Sequence, residues 1–302
     1  MMMLGTDLNG LKRQRPEWAP WLAVVEEALR EAGTSEWDAA VPAVAGVAAD
    51  GQDASGAPLT IPLLAGGTLT VQTNAVRRVL ERLIRTASLG GTPKLATLDS
   101  TIAADSDLLT LFRASLCQES DPVKGVAAAR GADADAFQAV IALLAVPFLQ
   151  RCGSRWKSAI SGSWVAPYCP LCGSWPAFAE ERGIDRSRFY RCGRCGGEWH
   201  ARPLSCPYCS LDDHEALVSL VPEAGRSRGV IEACTRCLGY VKTFTRLQGC
   251  TPANVLLDDL ASVDLDVAAF TQGYLRPPGA GYPLHVTVIA TGATRGLFAS
   301  SV

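Results

Sequence analysis

Eight of the chain's 11 cysteines fall into four Cys-x-x-Cys pairs: Cys169/Cys172, Cys192/Cys195, Cys206/Cys209 and Cys234/Cys237. Two cysteines at this spacing can turn both sulfurs toward one point, while the turn between them aims backbone N–H groups at the thiolates. One pair supplies half a tetrahedron, so a closed site needs two pairs. The gaps between successive pairs are 19, 10 and 24 residues. Sequential pairing gives two ribbons, each with a long gap holding strand material. The alternative is a cross-brace joining the first pair to the third and the second to the fourth. With four sulfurs per site and no further ligand evident, both sites read as closed. That suits a structural metal or an electron carrier, and not a hydrolase that needs an open position for water. Sulfur-only tetrahedra take zinc or iron.

Other residues have weaker claims. His200, five residues after Cys195, reads as part of the strand Glu198-Trp199-His200 more readily than as a fifth ligand. Trp199 reads as ribbon core. Asp258, Asp259 and Asp266 read as a solvated, dipole-friendly helix face, with a docking face for a basic partner as the functional alternative. Nothing nucleophilic accompanies them, so catalysis is not expected. Cys117, Cys152 and Cys250 read as small core residues. A thiol–disulfide oxidoreductase would need one pair to be free of metal and reactive.

Four elements must position these cysteines. Residues 1–152 are expected to form an α-helical domain. Trp18, Leu22, Val25 and Leu29 recur at helical spacing, as do Val76, Val79, Leu80, Leu83 and Ile84, opposite Arg77, Arg78, Arg82 and Arg85. Ser35 and Asp38 resemble a capping box opening a further helix. Residues 50–70, rich in Gly, Pro and Ala, read as a loop with one short strand. Residues 153–203 and 204–250 are expected to be two four-cysteine modules of rubredoxin-like or zinc-ribbon type. Each reads as a loop knuckle followed by a strand-borne knuckle, with β-prone runs at Phe189-Tyr190, Trp199-His200, Val230-Ile231 and Tyr240-Val241. Residues 251–302 complete the chain. A helix is expected with Leu256, Leu260, Val263, Val267 and Phe270 on one stripe, Asp258 and Asp259 in its first turn and Gly273 as its stop, followed by a weakly patterned tail. The fold class is thus α plus small β.

Composition narrows the function. The 302 residues carry 28 Lys and Arg against 30 Asp and Glu, which excludes a general polyanion binder. Residues 151–250 hold 14 Lys and Arg against 9 Asp and Glu. Eight thiolates around two divalent or two ferric ions would lower that surplus further. A zinc-ribbon nucleic-acid binder is therefore the second reading and not the first. The longest apolar run, Ala139–Leu149, contains Pro147 and reads as core, so no membrane association is expected. Lys12, Arg13 and Arg15 are followed by no apolar stretch, which predicts no secretory signal. Paired cysteines without one point to a reducing compartment.

Three blocks carry a family likeness. The first is Cys169-Pro170 to Cys172-Gly173, with Pro176. The second runs from Arg188-Phe189-Tyr190-Arg191-Cys192 through Cys195, Glu198-Trp199-His200 and Arg202 to Cys206 and Cys209. The third is Glu232-Ala233-Cys234 to Cys237, then Tyr240-Val241-Lys242. Asp258-Asp259-Leu260-Ala261, Leu265-Asp266 and Gly273-Tyr274 with Arg276 follow. In this order the chain resembles the formate dehydrogenase accessory protein family, FdhE, over about residues 165–284. The sequence departs from the family pattern at Pro277–Pro283, and its tail runs longer. The resemblance implies a cytoplasmic, non-catalytic maturation factor that acts on the catalytic subunit of a respiratory formate dehydrogenase before export. It also implies iron in preference to zinc at Cys169, Cys172, Cys192, Cys195, Cys206, Cys209, Cys234 and Cys237. A homo-oligomer is compatible with all of this.

Overall fold

The computed structural model describes residues 7–43, 60–90, 105–159, 164–221 and 229–291. Its first half is helical: α1 (Leu8–Gln14), α2 (Ala19–Ala32), α3 (Thr73–Leu89), α4 (Asp105–Cys117), α5 (Asp121–Ala129), α6 (Ala134–Leu144) and α7 (Val146–Arg155). The amphipathic pattern of α3 works as the spacing requires. Val76, Val79, Leu80, Leu83 and Ile84 are buried, while Arg78 and Arg82 turn outward to Glu36 and Glu31 of the neighbouring segment. Asp133 caps α6, its carboxylate accepting from Ala136 N at 3.0 Å. Trp37, Phe112 and Phe148 pack ring against ring at the centre of this layer.

The stretch Ala134–Arg155, α6 and α7 together, is long and apolar enough to cross a membrane by length and composition, and 67% of its apolar window is buried inside the protein. Ala145 divides it, and Phe137, Val140, Ile141, Phe148 and Leu149 are core residues.

The second half is built on one six-stranded sheet. Its strands are β2 (Phe178–Arg182), β3 (Ser187–Arg191), β4 (Glu198–His200), β5 (Leu217–Leu220), β6 (Gly229–Cys234) and β7 (Tyr240–Arg246), in spatial order β4-β3-β2-β7-β6-β5. Each module contributes an antiparallel three-stranded meander, β2-β3-β4 or β5-β6-β7. The meanders join through a parallel pairing of β2 with β7, Phe178 opposite Lys242 and Arg182 opposite Arg246. The mixed α and small-β class follows, with the two cysteine modules sharing a single sheet.

β1 (Thr68–Val71) pairs in parallel with β8 (Thr287–Ala290), bringing the end of the described chain back to the helical half. β1 supplies the short strand expected in residues 50–70; positions 50–59 of that stretch lie outside the described residues. β8 falls in the weakly patterned tail, of which residues 292–302 lie outside the described residues.

Two local expectations are corrected. Ser35 and Asp38 do not open an α-helix. Ser35–Ala40 is a 3-10 turn without a side-chain cap, and the Asp38 carboxylate instead accepts from Arg151 Nε at 2.6 Å. The C-terminal helix comes in two pieces, α8 (Pro252–Ala261) and α9 (Val263–Thr271). Ser262 makes the break: its hydroxyl donates to Asp258 O at 2.8 Å and Asp259 O at 3.0 Å, taking carbonyls the next turn would have used. The predicted stripe is therefore split, and Val267 and Phe270 face solvent. Gly273 stops α9 as expected, at φ 84°, with Tyr274 N donating back to Ala269 O.

Candidate metal centres

Each four-cysteine site is made of two knuckles, and all four knuckles share one backbone pattern. In each, the N–H four residues after the first cysteine donates to that cysteine's carbonyl: Gly173 to Cys169, Gly196 to Cys192, Ser210 to Cys206 and Leu238 to Cys234, at 2.9–3.0 Å. The first cysteine's own N–H then reaches the carbonyl five residues on, in Ser174, Gly197, Leu211 and Gly239. Closing this turn puts Gly173, Gly196, Ser210 and Leu238 all at positive φ, 58–71°. Backbone N–H groups also point at sulfur: Tyr208 N at Cys206 Sγ, Gly239 N at Cys237 Sγ and Gly197 N at Cys195 Sγ, each at 3.4 Å. Such donors favour the thiolate form.

The sulfurs gather sequentially. Cys169, Cys172, Cys192 and Cys195 form one group and Cys206, Cys209, Cys234 and Cys237 the other, with all sulfurs of a group within 4.8 Å of one another. The closest pairs are Cys169–Cys195 at 3.5 Å, Cys172–Cys192 at 3.6 Å, Cys206–Cys237 at 3.5 Å and Cys209–Cys234 at 3.8 Å. A regular tetrahedron with metal–sulfur bonds of about 2.3 Å has edges of about 3.8 Å. The geometry therefore fits one four-coordinate ion per group, and the two groups could hold two ions. Zinc and iron fit this donor set equally.

In the first group hydrogen bonds from Cys169, Cys192 and Cys195 hold the Cys172 thiol well below its usual range, while burial pushes Cys169 well above it. Ser174 Oγ lies 3.2 Å from Cys172 Sγ and accepts from Gln118 Nε2 at 2.9 Å, so a side chain just beyond α4 is linked to the sulfur cluster. Arg194, between the cysteines of the second knuckle, donates to Leu116 O at 3.0 Å and to Ser115 O.

Other residues singled out in the sequence have structural roles. Trp199 is buried beside Tyr190. His200 is exposed and stacks on Phe189, and it is not among the clustered ligand atoms of either sulfur group. Cys117 and Cys152 are buried, Cys250 partly so; burial pushes the Cys250 thiol up to about 12.

The aspartates are not a solvated face. Asp258 and Asp259 lie in the last turn of α8, where the dipole disfavours them, and cationic partners hold them instead. Lys242, fully buried on β7, donates to the Asp259 carboxylate at 2.7 Å and the Asp266 carboxylate at 2.9 Å. Arg276 bridges the same two at 2.7 Å, and Tyr240 Oη donates to Asp266 at 2.6 Å. Burial raises the Asp259 carboxyl, but Arg276 and Lys242 outweigh it and hold it below the usual range.

A second cluster on the same side of the sheet was not anticipated from the sequence. Glu180, wholly buried, receives Arg191 at 3.0 Å and Arg182 Nε at 2.9 Å, and Cys250 N donates to its other oxygen at 3.0 Å. Arg246 reaches both Glu180 and Asp258, at 3.4 and 2.8 Å. Alternation of Phe178, Glu180 and Arg182 with Ala179 and Glu181 was the available signal.

No family model matches the chain. Among curated proteins it is 33% identical to an FdhE homolog of Pseudomonas aeruginosa over 149 residues, covering 43% of this chain and 47% of that one. It is 33% identical over 147 residues to an FdhE homolog of Pseudomonas putida, covering 43% and 46%, and 29% identical over 117 residues to one from Aquifex aeolicus, covering 37% and 40%. The matched part thus spans at most about half the length of these relatives. The crystal structure of the FdhE protein from Pseudomonas aeruginosa has the same fold, with a TM-score of 0.54 and 23% identity over 92% of this chain and 93% of that one. The chain is thus similar in sequence to FdhE proteins over part of its length and shares the fold of the FdhE protein from Pseudomonas aeruginosa over most of it.

Proposed function

We propose that the chain is a non-catalytic accessory factor for a formate dehydrogenase, binding the enzyme's catalytic subunit in the cytoplasm while that subunit matures. The observation that carries the reading is the paired sulfur clusters on one sheet, fused to a helical layer, in a chain similar to FdhE proteins in part of its sequence and in its fold. Cys169, Cys172, Cys192 and Cys195 hold one ion and Cys206, Cys209, Cys234 and Cys237 a second. Iron is favoured by the family likeness, and zinc fits the same sulfurs. Residues 153–203 and 204–250 are the corresponding metal-dependent units, flanked by the helical domain 1–152 and the segment 251–302. The ions fix the knuckles and thereby the sheet, so the protein offers a rigid surface and not a reaction centre. None of the 11 cysteines is paired in a disulfide, which suits a reducing compartment.

The nucleic-acid alternative finds little support. Five of the 14 Lys and Arg in residues 151–250, Arg182, Arg188, Arg191, Lys242 and Arg246, are committed to internal carboxylates. They are not available to neutralise phosphates.

Co-expression with a formate dehydrogenase catalytic subunit tests the proposal. The tagged full chain is expected to retain that subunit through washing, and deleting its gene is expected to abolish formate dehydrogenase activity. Normal activity in the deletion strain, or a salt-dependent gel shift with no retained subunit, would contradict it.

A further inference from the structure

We propose that the two centres differ in kind: the second exchanges its metal in the folded protein, and the first is sealed until its cover opens. The proposal rests on the metal-binding reading above and adds a division of labour to it.

The contrast begins with the cysteines. All four of the first group are 0% exposed. In the second group Cys206 and Cys234 are buried, but Cys209 and Cys237 are exposed. Each knuckle of the second group therefore presents its later cysteine to solvent, and one edge of the sulfur tetrahedron is open.

The walls differ as well. Around the first group, Leu63 N and Leu64 N donate to Pro170 O and Leu171 O, and Tyr282 N donates to Gly173 O. Gly153 of α7 presses on the Cys195 carbonyl so closely that a methyl there would collide with it. Segments distant in sequence thus close over these knuckles. Around the second group, Leu275 N donates to Leu238 O at 2.8 Å, but Leu238 and Leu275 are themselves exposed and leave the edge uncovered.

The positive-φ position of each knuckle records the same difference. A Cβ at Gly196 would lie 2.5 Å from Pro252 Cβ, and one at Gly173 would lie 3.0 Å from Tyr282 Cβ. Only glycine fits both the backbone and the packing there. The second group has Ser210 and Leu238 at the equivalent positions, where side chains have room.

Exchange at a four-thiolate centre proceeds one ligand at a time. An incoming donor forms a bond to the metal, one cysteine sulfur leaves, and that thiolate takes a proton from water. The donor must approach the ion, which the Cys209–Cys237 edge permits in the folded protein. At the first centre the same step requires α7 or the 62–64 and 282 segments to open first. The exchange partner is a soft chelator or thiol able to take a borderline divalent ion such as zinc.

The test uses the full chain saturated with zinc and challenged at neutral pH with a chromogenic zinc chelator. A parallel pulse of iodoacetamide is read by mass spectrometry at the eight knuckle cysteines. One equivalent of zinc is expected to leave at least roughly tenfold faster than the other, reflecting the opening step that only the first site needs. Alkylation is expected at Cys209 and Cys237 while Cys169, Cys172, Cys192 and Cys195 stay unmodified. Release of both ions in a single phase, or early alkylation in the first group, would overturn the proposal and leave the metal reading standing. A chain that takes up no zinc or iron at all would remove both.

Discussion

Gly153 of α7 lies directly against Cys195: the absent side chain lets a helix of the first half rest on the backbone of a sulfur knuckle in the second. Cys152, one residue earlier, is wholly buried in the same contact region. The helical layer and the first sulfur group consequently share one continuous core, in which Phe148 and Leu149 belong with Cys169, Cys172, Cys192 and Cys195.

Substituting Gly153 with alanine should force these elements apart. Overpacking of this kind costs about 1–3 kcal/mol. Urea unfolding of the zinc-loaded chain is expected to show that loss, whereas Gly125→Ala, where a Cβ meets nothing, should show none.

The knuckle glycines predict opposite effects in the two modules. Leu238 holds a left-handed conformation that costs a non-glycine residue about 1 kcal/mol, and its side chain is exposed. Leu238→Gly should therefore leave stability unchanged or raise it by up to about 1 kcal/mol. Gly196→Leu should be strongly destabilising, because Pro252 occupies the required space. Thermal denaturation of both variants reads the contrast.

Lys242 is the cation on which α8 and α9 converge. Lys242→Met removes the ammonium and leaves Asp259 and Asp266 with Arg276 as their shared partner. Breaking a buried ion pair from one side costs about 3–5 kcal/mol. Denaturant unfolding should show a loss in that range, and equal stability would mean that Arg276 alone suffices.

Acid should weaken the fold through two carboxylates. Burial raises Glu180, but Arg191, the Cys250 N–H and Arg182 together hold it below the usual range; Asp259 is held down by Arg276 and Lys242 against the same opposing burial. A carboxyl depressed in the folded state contributes stability above its unfolded value, lost as pH falls through the folded one. The loss should therefore begin near about pH 4 and continue downward. Equilibrium unfolding between about pH 7 and about pH 3 measures it, and Glu180→Gln should flatten the dependence.

What could be read from sequence follows from how local each signal is. A Cys-x-x-Cys knuckle is complete within six residues, so its spacing and its flanking β-branched and aromatic strands were legible at Phe189–Tyr190 and Tyr240–Val241. β2 was not, because Glu180 and Arg182 look like surface residues until Arg191, Arg246 and Asp258 are brought to them by other strands and by α8. The parallel joining of β2 to β7, and of β1 to β8, links distant segments that carry no shared pattern. Asp258 and Asp259 misled for a related reason: the helix already starts at Pro252 and Ser262 ends it early, so residues expected to open a helix instead close a short one.

The most direct test of the account is the metal content of the full chain and of two single variants, purified without oxygen and measured by plasma emission. The account predicts two ions per chain for the unaltered protein, held by the two sulfur groups. It predicts one ion for Cys169→Ser and one for Cys234→Ser, each with its own module unfolded, since metal binding is folding free energy there. Two ions retained in either variant, or none in the unaltered chain, would contradict it.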